Sequence, residues 1–72
     1  MRIEVMSRQG DELLGEWDAT TPPSALEVIT ERFAGLRRKG YRAFGSVSGE
    51  RVDEFDPRRE EDLVFIAPVI GG

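Results

Sequence analysis

Apolar residues alternate along the first segment of the chain, where Ile3 and Val5 are interleaved with Arg2, Glu4 and Met6. A repeat of two residues predicts a strand with one face buried. Ser7-Arg8-Gln9-Gly10-Asp11 then supplies turn-forming residues, and apolar positions resume from Leu13 to Trp17. A hairpin is expected there. The period changes after Thr20-Thr21-Pro22-Pro23-Ser24: Leu26, Ile29, Phe33 and Leu36 are spaced 3, 4 and 3 apart, the stripe of an amphipathic helix. Two helix starts are open, one with Thr21 as N-cap and Pro22 at the first helical position, the other a capping box over Ser24–Glu27. Gly40 is placed to close the helix as the left-handed residue after its C-cap.

Beyond the helix the pattern breaks into short pieces. Tyr41 to Phe44 with Val47 predicts a third strand, Ser48-Gly49-Glu50 a turn, and Val52 to Phe55 a short fourth strand ended by Asp56-Pro57. Arg58-Arg59-Glu60-Glu61-Asp62 reads as a solvated charged loop. Leu63-Val64-Phe65-Ile66-Ala67 is apolar at every position, which predicts a central strand covered on both sides. Trp17, Tyr41 and Phe44 are expected to be packing residues. The order hairpin, helix, two short strands and apolar last strand predicts an α+β fold of the β-grasp type. In it a mixed sheet of four to five strands places the last strand beside the first, and the helix crosses one face. Residues 1–68 form the expected single domain and residues 69–72 a flexible tail.

Composition narrows the chemistry. The 72 residues contain neither Cys nor His, so disulfides, a thiol nucleophile, an imidazole base and the usual zinc ligands are excluded. The fourteen carboxylates are scattered among ten basic residues with no paired acid and base, and no catalytic residue or bound cofactor is expected. A net charge of −4 speaks against nucleic acid as a partner. No apolar run has the length of a signal peptide or a membrane span, so a cytoplasmic location is expected. Arg37-Arg38-Lys39 suits the last turn of the helix, where cations face the negative end of its dipole. Attention therefore falls on Val69-Ile70-Gly71-Gly72, because glycines can thread a narrow channel and leave a carboxylate sterically open.

The segment from Asp62 to Gly72 resembles the end of the small subunit of molybdopterin synthase, within the ubiquitin-like sulfur-carrier proteins that also include the thiamine type. An acidic turn, an apolar strand, a proline, an apolar pair and Gly-Gly follow one another in both, and Val47 to Pro57 is similar to the stretch that precedes them. Ala67 stands where that branch usually has the first of two prolines. The resemblance implies that a ubiquitin-activating-type adenylyltransferase uses ATP to activate Gly72, with Gly71 giving access to its pocket. Phe65, Ala67, Pro68, Val69 and Ile70 would form the docking surface. A thiocarboxylate on Gly72 would then feed a downstream sulfur acceptor. Alternatively, Gly72 would be joined to lysines of target proteins, with Lys39, the only lysine, serving for self-linkage. A third reading is a non-covalent interaction domain. The free chain is expected to be a monomer that needs no processing to expose Gly72.

Overall fold

The computed structural model describes residues 1–7 and 10–68. Strands β1 (Arg2–Ser7) and β2 (Gly10–Glu16) form the N-terminal hairpin, followed by helix α1 (Pro23–Arg38) and strands β3 (Arg42–Gly45), β4 (Arg51–Val52) and β5 (Leu63–Ile66). They assemble into an α+β fold, one helix packed on a five-stranded mixed sheet of order β2-β1-β5-β3-β4. β5 lies in the middle, parallel to β1 with Ile3 opposite Leu63, and antiparallel to β3 with Phe65 opposite Ala43.

The hairpin is not a regular ladder. Ile3 faces Gly15 while Glu4 faces Leu13, so Leu14 is an extra residue on β2. That bulge changes the side-chain parity, and Leu14 and Trp17 both reach the core although they are three residues apart. Gly15 lies beneath the helix: a Cβ added there would be 2.9 Å from Cγ1 of Ile29.

The helix stripe packs as expected. Ile29 and Phe33 are buried, with Leu26 and Leu36 partly buried against the core of Ile3, Leu14, Trp17, Ala43, Val52, Leu63 and Phe65. The rings of Phe33 and Phe65 meet edge to face at 4.8 Å between centroids. Trp17 packs edge-on against Phe55 at 5.0 Å, and its indole N–H donates to the Pro57 carbonyl at 3.1 Å.

The helix ends differ from each other. At the C-terminus Gly40 has φ +89°, its N–H donates to the Arg37 carbonyl and the Tyr41 N–H donates to the Leu36 carbonyl, the paired bonds of a Schellman cap. At the N-terminus neither expected cap forms. The N-cap is Pro22, with no side-chain bond, and Pro23 opens the helix. Thr21 is engaged elsewhere, its hydroxyl accepting the Asp18 N–H at 2.8 Å, while the Asp18 carboxylate takes the Thr20 N–H and hydroxyl.

Three further expectations are corrected. Val47 is 87% exposed and belongs to a turn, because β3 ends at Gly45. β4 is only two residues long, and Phe55 lies beyond it in the loop that packs on Trp17. The run Leu63–Ile66 is covered on one side only: Leu63 and Phe65 are buried, Val64 is half-buried and Ile66 is 48% exposed.

Candidate functional site

The features that distinguish this surface converge at the C-terminal end of β5, on the side of the sheet away from the helix. β-strand alternation sends Ala43 and Gly45 of β3 toward the core, so its two large side chains, Arg42 and Phe44, project from the open face. Register places Arg42 opposite Ile66 and Phe44 opposite Val64. With Gly40, Ala67 and Pro68 these residues line an open groove of about 390 Å³. Gly40 shapes one wall of that groove. Its φ of +89° suits a residue without Cβ, and it sits beside the Pro68 ring, which a Cβ at this position would meet at 3.6 Å, an ordinary contact. The helix cap and the segment leaving β5 are therefore in close contact.

The residues expected to form the docking surface separate. Ala67 is half-buried and Pro68 exposed, and both line the groove. Phe65 is a correction: it is 0% exposed and packed under Phe33, so its ring cannot meet a partner without unfolding the core. Its neighbour Ile66, one position on and on the opposite face, is 48% exposed and lines the groove. Val69, Ile70, Gly71 and Gly72 lie outside the described residues, as does the expected flexibility of the tail. Phe44, expected in the core, is half-buried on the open face. Arg42 and Phe44 were missed as surface residues. Their signal was the small-residue positions Ala43 and Gly45, which mark the inward side of β3.

Lys39 is the C-cap of α1. Its backbone N–H donates to the Gly35 and Leu36 carbonyls, and its side chain is exposed on a second concavity of about 640 Å³ shared with Glu12, Arg32, Gly35 and Tyr41. Among the described residues the amine makes no side-chain hydrogen bond or ion pair, and the residue is exposed. Nearby, Arg37 donates to the Tyr41 carbonyl and pairs with Asp53 at 3.1 Å, tying the helix end to the residue after β4.

The segment expected to be a solvated loop contains the most perturbed acid among the described residues. Glu61 Oε1 accepts the N–H groups of Val47 at 3.1 Å and Ser48 at 3.0 Å, its Oε2 accepts the Ser48 hydroxyl at 2.9 Å, and the Arg59 guanidinium pairs with it. The Ser48 N–H above all, then its hydroxyl, the Val47 N–H and Arg59, outweigh the cost of desolvation and hold the Glu61 pKa down at about 2. Asp62 adds to the same clasp: its carboxylate accepts the Arg2 N–H and its carbonyl the Ser46 N–H. Together they fix the β3–β4 turn against the start of β5. Asp56 is lowered by the N–H and guanidinium of Arg58, and Asp18 by the hydroxyl and N–H of Thr20.

Among the described residues no charged or polar side chain is buried, and no group of three or more acidic, His or Cys side chains is placed to hold a metal. No helix among them is long and apolar enough to cross a membrane. Comparison with protein families, with characterised proteins and with solved structures finds no match to this chain.

Proposed function

We propose that this chain is a ubiquitin-like carrier with a β-grasp fold, activated as an acyl-adenylate at Gly72 and acting as a sulfur donor through a thiocarboxylate. The observation that carries the reading is the position of β5. It runs parallel to β1 in the centre of the sheet with the helix across one face, and in sequence it is followed within a few residues by Ile70-Gly71-Gly72. A central strand is the most firmly held element of a small sheet, so a carboxylate that follows it within a few residues is presented from a rigid base. The groove of Arg42, Phe44, Ile66, Ala67 and Pro68 lies directly before that segment and supplies the docking surface for an adenylating enzyme. Arg42 gives it a cation and Ile66 an apolar anchor. The adenylation consumes ATP on the partner, and the chain itself binds no cofactor.

Attachment to lysines of target proteins is the second reading, favoured by the exposed amine of Lys39, which has no partner among the described residues and offers one point for joining copies. Both readings share the activation step. In an extract of the native host, the wild-type chain is expected to stimulate exchange of labelled pyrophosphate into ATP, and deletion of Gly72 to abolish that stimulation while leaving the melting curve unchanged. Equal stimulation by both proteins would contradict activation at Gly72. Loss of exchange accompanied by loss of folding would contradict the division into a folded body and a separate reactive tail.

A further inference from the structure

The open face of the sheet carries a pattern that is invisible in the linear sequence. Reading across four strands along one row of the register, Asp11 of β2 lies opposite Met6 of β1, Met6 opposite Ile66 of β5, and Ile66 opposite Arg42 of β3. The row is acid, apolar, apolar, base. Met6 and Ile66 in its middle are 49% and 48% exposed. The adjacent row runs from Leu13, 56% exposed, through the half-buried Glu4, which is paired with Arg2, to the half-buried Val64 and Phe44. Neither Asp11 nor Arg42 has an ion-pair or hydrogen-bond partner through its side chain within the described residues. The other arginines on this face are committed, Arg2 to Glu4 at 3.2 Å and Arg51 to Asp53 at 3.1 Å.

Such a row is complementary to itself. Turning a second copy about a two-fold axis that runs along the strands between β1 and β5 lays Asp11 of one copy over Arg42 of the other, and Met6 over Ile66. The same rotation brings Leu13 over Phe44 and Glu4, whose carboxylate is already paired with Arg2, over Val64. An isologous contact requires this reciprocity, in which residue i meets j and j meets i. Aligned sheets pack about 10 Å apart with interdigitated side chains, a gap that Met, Ile and Arg side chains can bridge from both sides.

We propose that the open face is a self-association surface, through which two copies of this chain stack sheet to sheet with Asp11 and Arg42 paired reciprocally. The free chain then exchanges between monomer and dimer, in place of the simple monomer expected from sequence. The two rows supply far fewer residues than the roughly 20–30 a side of standard stable complexes, so the dimer is a transient one, populated at high protein concentration. This surface is independent of the chemistry at Gly72. It does overlap the groove at Arg42, Phe44 and Ile66, so the dimer and a docked adenylating enzyme exclude each other.

Sedimentation velocity over a wide concentration range tests the proposal. The wild-type chain is expected to shift from monomer toward dimer as concentration rises, and Ile66→Glu, which puts an acid at the centre of the stack, to remain monomeric with an unchanged circular dichroism spectrum. Arg42→Glu alone makes both ends of the row acidic, and Asp11→Lys alone makes both basic. Each is expected to weaken association by about tenfold or more through like-charge contact. An equimolar mixture of those two variants restores complementary pairs and is expected to dimerise again. A wild-type chain that stays monomeric at all concentrations would overturn the proposal. So would a mixture no better associated than either single variant, which would show association without the Asp11–Arg42 register.

Discussion

The two faces of this sheet are built from the same strands and share almost nothing in their energetics. On the helix side Ile3, Ala43, Leu63 and Phe65 are excluded from water, whereas their immediate neighbours Val64 and Ile66 look outward from the same central strand. An apolar residue buried beneath the helix contributes about 1.5–3 kcal/mol, and one left half in water contributes a fraction of that. Apolar character on the open face is therefore not explained by stability.

The sharpest way to break this contrast is to remove a large side chain from the covered face. Phe33→Ala is expected to cost about 3–5 kcal/mol, comparable to the whole stability of a domain this small, and to leave the protein unfolded at room temperature by circular dichroism. An unchanged melt would mean that the helix does not cover this face. Next in size, Gly15→Val drives a branched side chain into Ile29 and is expected to cost about 1–3 kcal/mol in urea titration. At the other extreme, Ile66→Ser on the open face is expected to change stability by no more than about 0.5 kcal/mol.

Acid sharpens the comparison at the edge between the faces. Glu61 has a pKa held at about 2 in the folded chain against an ordinary value near 4.5. Its contribution is fully present above pH 4.5 and is lost as pH falls toward and through 2, since the unfolded chain takes up the proton first. Glu61→Gln is expected to lower stability at neutral pH and to flatten the part of the acid limb between pH 4.5 and 2, measured by thermal melts across that range. An acid limb identical to wild type would show that the clasp on Val47 and Ser48 carries no stability.

What could be read in the sequence was what depends on near neighbours. The stripe of Leu26, Ile29, Phe33 and Leu36 and the Gly40 cap are local in origin, and both appear where the spacing placed them. The centrality of the last strand followed from its apolarity. Its coverage did not, because an apolar residue awaiting a partner and one buried in a core look alike in a single chain: Phe65 and Ile66 are adjacent apolar residues with opposite fates. Glu61 was illegible for a related reason. Within Arg59-Glu60-Glu61-Asp62 it looks solvated, and the amides it accepts belong to residues thirteen and fourteen positions earlier. The helix start was misplaced because the Thr21 hydroxyl had a competing acceptor role in the turn at Asp18.

The central claim is that a rigid strand with one working face presents a reactive carboxylate, and the intact mass of the protein recovered from its native host tests it most directly. Replacement of one terminal oxygen of Gly72 by sulfur is the result the sulfur-carrier reading predicts. A Gly72 remnant joined to target lysines would support the modifier instead. A uniformly unmodified Gly72, with an unaltered phenotype when Gly72 is deleted, would contradict both and leave the open face as the functional part of the molecule.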